Sequence, residues 1–364
     1  MRSIFLLLLL ALLVLLAGCD PFNTRFEPIE EGLYYEAENI TEAAPPGADL
    51  LVMNWNAKFG GGRIDFWFDC FGDRVLMEEA EVIENLEGLA AKIRHVDPDI
   101  LLLQEIDIEA KRSAYIDQVQ WILDNTDLNY AVYASQWKAD FIPSDGLGRM
   151  DMGVATFSKY PLRDATRINL PQSESQDAVT QYFYLNRNIL TAVVDLPGFG
   201  PLHIVNVHAD AYSQDGTKRI HIDRFKEELD RLDAEGHIFL GGGDLNTLPP
   251  GSDVQFGFAD SVCEDEDFIA DDYRDEADWL VSLYEDYNAA IPLDVYQADN
   301  AAHYTHSVSN DIFWNRKLDY LFTNITFVDG SGMTHQDESS GGMETFSLSD
   351  HAPISGRLSL EDAR

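Results

Sequence analysis

The stretch HIFLGGGDLN, residues 237–246, decides the fold. The apolar run at its start predicts a buried strand from His237 to Leu240. Three glycines follow, and then come the polar side chains of Asp244 and Asn246. A buried strand that opens onto a carboxylate and an amide is typical of sheet proteins that collect polar groups at one rim.

The same pattern recurs on both sides of this stretch. Apolar runs that predict strands lie at residues 50–53, 100–103, 202–207, 318–322 and 353–358. The polar residues within or beside these runs are Asn56, Glu105, His208, Asp319, Asp350 and His351. Taken singly, each has a structural explanation, such as a turn cap, an ion pair or a bonded backbone amide. Their repetition predicts that the strands bring them together at one site.

Helical segments separate some of the predicted strands. Apolar residues recur at helical spacing between Met77 and Val96, and Asp97-Pro98 is expected to end that helix. Further helices are predicted at residues 113–123 and 217–232, and further strands at 130–134, 153–157 and 189–195. This mixture predicts an α/β protein with mixed sheets rather than a strictly alternating barrel.

Six strings together resemble the endonuclease/exonuclease/phosphatase superfamily in type and order. They are MNWN (53–56), ILLLQE (100–105), VNVHAD (205–210), GGGDLN (241–246), KLDYLF (317–322) and LSDHAP (348–353). The resemblance covers the chain from about residue 49 to 359. It implies a four-layer α/β/β/α sandwich, in which two mixed sheets pack face to face between helices, with the site at one end.

The resemblance also implies a metal site. Glu105 would be the principal ligand of a divalent ion, and Asn56 and Asp350 would lie nearby in the metal shell. Carboxylate and amide oxygens are ligands that Mg²⁺ or Mn²⁺ accepts, and there is no thiolate cluster to favour zinc. We therefore expect Mg²⁺, or Mn²⁺, as the cofactor.

Five further residues take catalytic roles by the same resemblance. His351, paired with Asp319, would act on the attacking water, and Asp244 would orient or deprotonate that water. Asn246 would hold a phosphoryl oxygen, and His208 would be a general acid or a phosphate donor. A carboxylate behind a histidine fixes its tautomer and supports the imidazolium, which suits this chemistry.

Substrate-binding residues are less well defined. Arg187 is a candidate for phosphate contact, although a surface ion pair explains it equally well. Lys138, Arg149 and Lys317 are candidates for a small basic pocket. Residues 59–75 are expected to be an insertion beside the site, and its aromatic side chains are expected in the core more than against a lipid or a ring.

The charge of the chain limits the substrate class. It carries 25 Lys and Arg against 64 Asp and Glu, a formal net charge of −39. Duplex nucleic acid is disfavoured, because it is bound through clustered basic residues. We expect a monomeric, metal-dependent phosphoesterase that hydrolyses a small-molecule or lipid-headgroup phosphoester. The alternatives are an extracellular nuclease and a non-catalytic, ligand-binding surface lipoprotein with the same fold.

The N-terminus predicts export and anchoring. Residues 1–18 have the basic start and apolar run of a signal peptide, and LAGC at 16–19 resembles a bacterial lipobox. Cys19 would then carry the lipid, unless it is an incidental cysteine after an ordinary signal. Residues 19–47 are expected to be a tether and 48–360 the catalytic domain. The expected location is the bacterial cell envelope, facing the periplasm or the exterior.

Two cysteines and an acidic stretch remain. Cys70 and Cys263 are as well explained by a disulfide as by two unrelated buried thiols, because an exported chain permits oxidation. Residues 263–278 are rich in acids but lack the glycine of an EF-hand loop. A solvated acidic insertion is therefore expected there rather than a calcium site.

Overall fold

Two seven-stranded mixed sheets pack face to face in the computed structural model. The structure describes residues 20–67, 72–213, 215–261, 271–337 and 343–361. The strands are β1 (Ile29–Glu31), β2 (Leu33–Glu36), β3 (Asp49–Asn56), β4 (Ile100–Asp107), β5 (Tyr130–Ile142), β6 (Gly148–Ser158), β7 (Leu162–Asn169), β8 (Asn188–Leu196), β9 (Gly200–His208), β10 (Phe239–Asp244), β11 (Asn288–Ala289), β12 (Asp319–Thr323), β13 (Met333–Thr334) and β14 (Ile354–Ser359).

The strand order defines a β10 sheet and a β3 sheet. The β10 sheet runs β1-β7-β8-β9-β10-β12-β11, and the β3 sheet runs β13-β14-β3-β4-β6-β5-β2. One pair in each sheet is parallel, β9 with β10 and β3 with β4, and the other pairs are antiparallel. These two central parallel pairs end at the same edge of the sandwich, where Asn56 of β3 and Asp244 of β10 are hydrogen-bonded.

Helices cover the outer faces of both sheets. They are α1 (Glu79–Val96), α2 (Gln118–Asp124), α3 (Ala178–Phe183), α4 (Thr217–Ala234), α5 (Val281–Asp286) and α6 (Leu293–Ala298). Short 3-10 helices lie at Lys58–Gly60, Lys111–Ser113, Ala259–Ser261, Arg274–Glu276 and Ala301–His303. The apolar sides of α1 and α2 pack on the β3 sheet, and α4 packs on the β10 sheet. The four-layer α/β/β/α prediction is therefore confirmed.

The layer between the sheets changes character along the strands. Its apolar end is a cluster that includes Leu50, Val52, Ile100, Leu102, Ile204, Leu240 and Leu321. Because side chains alternate between faces of a strand, positions two residues further along point into the same layer. Those positions hold buried polar side chains in every central strand: Asn54, Asn56, Gln104, Asn206, His208, Asp244 and Asp319.

The segment predicted to be a tether takes part in both sheets. Residues 29–31 pair antiparallel with β7, and residues 33–36 pair with β5. The expectation that folding begins at residue 48 was therefore wrong for residues 29–36. These two strands are short, lie at sheet edges and carry exposed side chains, so they lack the continuous apolar run of a buried strand.

Local signals set the helix ends. Asp97 adopts a left-handed φ of 57° before Pro98, which ends α1 as expected. α2 begins at Gln118 rather than Ser113, because Ala114 is left-handed and Asp117 accepts a hydrogen bond from the Gln120 N–H at 3.1 Å. Residues 1–19, with the predicted signal peptide and Cys19, lie outside the described residues, as do Cys70 and Cys263. In the described part of the chain, no helix is long and apolar enough to cross a membrane.

Candidate functional site

A cleft at the polar end of the sandwich collects the predicted residues. Seven of them line it: Glu105, Arg187, His208, Asp244, Asn246, Asp350 and His351. The other two, Asn56 and Asp319, lie beneath and are hydrogen-bonded to Asp244 and His351 respectively. All nine predicted site residues therefore meet in one place, although they come from β3, β4, β9, β10, β12 and three loops.

Backbone irregularities bring two of these side chains to the cleft. The register of β4 against β6 shifts between Leu103 and Ile106, and Glu105 there adopts a φ of 52°. In a regular strand, Gln104 and Glu105 would point to opposite faces. The bulge lets Gln104 enter the inter-sheet layer while Glu105 reaches the cleft. Asn246 follows its strand in a similar left-handed conformation, with a φ of 51°.

The glycines before Asp244 are required by close packing. Gly243 has a φ of +142°, and a Cβ there would lie 1.8 Å from the Val207 carbonyl oxygen. A Cβ on Gly242 would lie 2.4 Å from the Tyr320 carbonyl oxygen. Only glycine fits these positions, so the glycine run sets how closely β10 approaches its neighbours.

His351 and Asp319 form a buried dyad. The His351 Nδ1 donates to Asp319 Oδ2 at 2.8 Å, and Asn54 Nδ2 donates to the other Asp319 oxygen at 3.4 Å. The His351 Nε2 lies 3.6 Å from Asp244 Oδ2. The imidazole is thus fixed between two carboxylates, with Asp319 behind it and Asp244 towards the cleft.

Asp244 is the centre of the contacts at the cleft floor. Its carboxylate accepts hydrogen bonds from Asn56 Nδ2 at 3.1 Å and from the Asn246 N–H at 2.9 Å. The His208 Nε2 lies 3.4 Å from Asp244 Oδ2 and 3.9 Å from Glu105 Oε1. Asn56 Nδ2 also lies 3.4 Å from Glu105 Oε1. The Asn56 amide and the His208 imidazole therefore link the carboxylates of Asp244 and Glu105.

Asp350 lies beside a cation that the sequence pattern did not indicate. The Lys58 Nζ is 3.2 Å from Asp350 Oδ2, and both side chains are largely buried. The Lys58 N–H donates to Asn56 Oδ1 at 3.0 Å, so the same residue also orients the Asn56 amide. Burial raises the pKa of Asp350, but the charges of Lys58, His351 and Arg63 outweigh it and lower that pKa.

Burial shifts the other two carboxylates in the opposite direction. Loss of water raises the pKa of Glu105, and the charge of Asp350 adds to this. Burial and the charge of Asp319 raise the pKa of Asp244 to about 7, against the opposing effect of His351. A nearby positive charge would stabilise the ionised forms of both Glu105 and Asp244. This part of the cleft is therefore suited to a bound cation.

The two histidines are held in different charge states. Burial lowers the pKa of His351, but Asp319 and Asp244 overcome this and raise it to about 10, so the ring carries a positive charge at neutral pH. Burial lowers the pKa of His208 well below its ordinary value, and the Arg187 charge lowers it further. His208 is therefore a neutral donor or acceptor at neutral pH.

Arg187 lies in the cleft wall rather than in a surface ion pair. Its side chain is buried, and its Nη1 lies 3.5 Å from Gln136 Oε1. Its Nε finds no hydrogen-bond acceptor among the described residues. A buried guanidinium in the wall of a cleft is suited to an anionic ligand.

The proposed basic pocket of Lys138, Arg149 and Lys317 was wrong. None of the three lines the cleft in the described part of the chain. Arg149 pairs with Glu109 and Asp140 on the surface, and Lys317 is buried with its Nζ donating to the Asp319 carbonyl oxygen at 2.7 Å. An acidic chain surrounds its exposed bases with carboxylates, so sequence position alone does not identify a free cation.

Sequence reasoning missed several residues of the cleft. The His306 ring lies 4.3 Å from the His351 ring, and the two residues also form a β-bridge. Asp271 and Tyr273 line the cleft too, although they lie in the stretch predicted to be a solvated acidic insertion. Asp271 is 2.7 Å from Arg316 Nη2, which fixes it. None of these residues ends an apolar run, so no local signal marks them.

The aromatic residues of the insertion divide between core and cleft. Trp55, Phe59 and Phe66 belong to the buried cluster of the β3 sheet, as expected, and Trp67 packs against it. Phe59 and Phe66 also line the cleft. The Arg112 guanidinium lies 3.7 Å from the Phe59 ring centroid and is paired with Asp107 at 2.9 Å, which fixes this wall. Phe68 lies outside the described residues.

The donor set fits a hard divalent cation. Glu105 and Asp350 supply partly buried carboxylates whose charges raise each other's cost of ionisation, and Asn56 carries an amide oxygen that accepts the Lys58 N–H. Among the described residues, two groups are also compact enough to share an ion: His306 with Asp350 and His351, and Asp244 with Asp319 and His351. Neither group includes Glu105, so its part in a metal shell rests on the electrostatics and on its contact with Asn56.

Comparison with known proteins gives the family. The sequence model of the Endonuclease/Exonuclease/phosphatase family matches residues 53–351. The chain therefore belongs to this family, whose members generally hydrolyse phosphoesters. No curated protein matches the chain.

Solved structures show the same fold. An endonuclease/exonuclease/phosphatase from Beutenbergia cavernae is 19% identical with a TM-score of 0.54, covering 86% of this chain and 72% of that one. A mannosyl-6-phosphatase from Bacteroides thetaiotaomicron is 14% identical with a TM-score of 0.50, covering 85% and 99% respectively. A functionally unknown protein from Enterococcus faecalis is 17% identical with a TM-score of 0.50, covering 84% and 98%. At these identities the likeness supports the fold alone.

Proposed function

We propose that this protein is a divalent-metal-dependent phosphoesterase that hydrolyses a small-molecule or lipid-headgroup phosphoester by water attack. The observation that carries the proposal is the meeting of the Glu105 and Asp350 carboxylates, the His351–Asp319 dyad and the buried Arg187 guanidinium around one cleft. Such a set provides a cation site, a charged imidazole and an anion site within the reach of one small substrate.

The metal shell would consist of Glu105, Asp350 and Asn56. A bound Mg²⁺ or Mn²⁺ would stabilise the charge that develops on the phosphoryl oxygens. Lys58 pairs with Asp350 and so orients that ligand before the ion arrives. The Asn56 oxygen accepts the Lys58 N–H while its Nδ2 faces Glu105, so Asn56 would join the shell through an oxygen that already has one hydrogen bond.

Water activation belongs to Asp244 with His351. Asp244 faces the cleft, and its pKa of about 7 lets it take a proton from a water near neutral pH. The charged His351 ring, held by Asp319, lies 3.6 Å from Asp244 and stabilises the negative charge at this point. Asp319 keeps the imidazole orientation and does not itself contact the cleft.

Phosphate binding belongs to Arg187, Asn246 and His208. Arg187 would contact the phosphate from the cleft wall, and Asn246 lines the cleft with one amide hydrogen already bonded to the Ala209 carbonyl oxygen at 3.1 Å. His208 is neutral because of burial and the Arg187 charge, which suits hydrogen bonding to a phosphoryl oxygen better than proton donation.

The basic groups around the cleft favour a small substrate. Lys58, Arg112 and Arg187 line it, and all three are buried. A duplex requires exposed bases along a broad surface to neutralise successive phosphates. We propose a cell-envelope location, with Cys19 as the lipid anchor, because the LAGC string follows a signal-like run.

A hydrolysis assay on the full chain tests this function. We expect turnover of bis(p-nitrophenyl) phosphate that EDTA abolishes and Mn²⁺ or Mg²⁺ restores. Glu105→Gln should reduce turnover by about 10²–10⁴-fold, because the principal ligand charge is lost. The matched control is Glu109→Gln, which removes a carboxylate that pairs with Arg149 on the surface. Phosphoester binding without any turnover on a panel of mono- and diesters would instead identify a binding protein, and cleavage of plasmid DNA alone would identify a nuclease.

A further inference from the structure

An aromatic groove lies beside the cleft. We use this name for a groove of about 380 Å³ whose walls include Trp67, Trp137, Ile142, Leu147, Phe183 and Tyr184. Its lining is mainly aromatic and aliphatic, with Ser144 and Thr180 as the polar members, and its volume is in the range of small-ligand sites. Concave apolar surfaces of this kind commonly hold the apolar part of a ligand.

The aromatic groove adjoins the cleft. Trp137 lines both, and the chain neighbours Phe66 and Leu185 line the cleft where Trp67 and Tyr184 line the groove. The Trp137 Nε1 donates to the Phe183 carbonyl oxygen at 2.7 Å, so this shared wall is fixed. One molecule with a phosphoester in the cleft would therefore extend its remaining part into the groove.

The N-terminal residues are bound at the same place. The Asp140 N–H donates to the Phe22 carbonyl oxygen at 2.7 Å, and the Phe22 ring packs on Phe183 at 5.4 Å. The Tyr182 hydroxyl donates to Asp20, the residue directly after Cys19. The chain is thus attached to the groove wall from its first described residue, and a lipid on Cys19 would bring the bilayer to the groove.

The rim of the groove carries exposed apolar side chains. Val179, which lines the groove, is 69% exposed, and Phe141, which precedes Ile142 in β5, is 51% exposed. Apolar side chains exposed beside an apolar groove are suited to contact with a lipid surface.

We propose that the aromatic groove binds the acyl chain of a membrane lipid whose phosphoester headgroup occupies the cleft. The inference rests on the proposed function and names its substrate class. The apolar walls of the groove bind the acyl chain, and the cleft binds the phosphoester. The N-terminal residues bound at the groove wall bring the groove and the cleft to the membrane.

Alkyl phosphates of increasing chain length test the groove. Ethyl, hexyl and decyl phosphate are compared as inhibitors of bis(p-nitrophenyl) phosphate hydrolysis by the full chain with Mn²⁺. We expect the inhibition constant to fall by up to about fourfold per methylene, from a transfer free energy of about 0.8 kcal/mol per buried CH₂. Equal inhibition by all three, with normal turnover, would overturn the groove but not the proposed function.

Two variants at exposed positions of the groove make the test specific. Ser144→Trp fills the groove, and Val179→Asp places a charge in it, while neither residue lies in the cleft. Both variants should remove the dependence of the inhibition constant on alkyl chain length and leave turnover of the soluble diester unchanged. The matched control is Val328→Asp, 40% exposed beside Arg357 at the opposite end of β3, which should keep the dependence.

The remaining outcomes separate the two proposals and the lipid source. Absence of turnover would overturn the proposed function. In that case, tighter binding of decyl phosphate than of ethyl phosphate in calorimetry would still support the groove. Vesicles of brominated phosphatidylcholine should quench tryptophan fluorescence of the full chain, and less so in Val179→Asp. If the inhibition constant depends on alkyl chain length but the vesicles do not quench, the groove binds a soluble amphiphile. If adenosine monophosphate inhibits more tightly than decyl phosphate, the groove binds a nucleotide base. Either result overturns the membrane lipid.

Discussion

The two ends of the inter-sheet layer are built from the same strands but do different work. At one end Leu50, Ile100 and Ile204 pack in a closed apolar cluster. At the other end the same strands present Asn54, Gln104 and Asn206, and Gln104 Nε2 donates to both asparagine oxygens at 2.8 Å. Apolar burial stabilises the first end, whereas the second keeps buried polar groups oriented at a cost in desolvation. The comparison shows that, in this fold, the residues that stabilise the sandwich and the residues of the candidate site lie at opposite ends of the same strands.

The largest expected effect is on turnover at the polar end. His351→Ala should lower kcat by about 10²–10⁴-fold, since the charged ring next to Asp244 is lost. Asp319→Asn should give a loss of similar kind, because the ring loses the partner that fixes it. Steady-state kinetics on a soluble phosphodiester measures both. His237→Ala, at the opposite end of β10, is the matched control, and near-normal kcat in His351→Ala would refute the role of the dyad.

The next effect is on stability at the apolar end. Leu102→Ala should lower the free energy of unfolding by about 2–5 kcal/mol, because the side chain is fully buried in the apolar cluster. Denaturant titration measures this loss. The kcat of the folded variant should stay close to that of the unmodified protein, although Leu102 lies only three residues from Glu105. A loss of kcat as large as that of His351→Ala would show that the two ends are not separable.

The free energy of unfolding should depend on pH through the titration of Lys317 at the polar end. Burial lowers the pKa of Lys317 to about 8, partly opposed by Asp319, whereas an unfolded lysine has a pKa of about 10.4. Between these values the unfolded chain binds a proton that the folded chain lacks, so this residue makes stability rise with pH. Lys317→Met should remove a slope of up to about 1.4 kcal/mol per pH unit from the unfolding free energy. Lys138→Met is the control, and an equal slope in both variants would contradict the prediction.

The smallest effect concerns the support of the dyad. Asn54→Leu removes the 3.4 Å hydrogen bond to Asp319, together with the acceptor of Gln104 Nε2, and should lower kcat on the order of tenfold through the loss at the charged Asp319. If Asn54 acts through Asp319, the same change in the Asp319→Asn protein should cost much less. Additive losses in this double-mutant cycle would show that Asn54 acts by another route.

Most of the fold and of the site could be predicted from strand ends. The apolar runs identified the central strands, and the polar residues within or beside them identified eight of the nine predicted site residues; Arg187 was a separate candidate for phosphate contact. This worked because a buried strand needs a continuous apolar run, and because the ends of neighbouring strands meet at one edge. The edge strands β1 and β2 escaped notice because exposed edges impose no such run on the sequence.

Only the tertiary structure decided how these residues act together. The sequence determined that Glu105 follows Gln104, but the bulge in β4 decided that both reach the same end of the sandwich. Lys58 and His306 approach Asp350 and His351 across the fold, and the aromatic groove joins segments that are far apart in the chain. Local patterns record which face of one element is buried. Charge states and shared cavities depend on distances between elements, and those distances exist only once the sheets have packed.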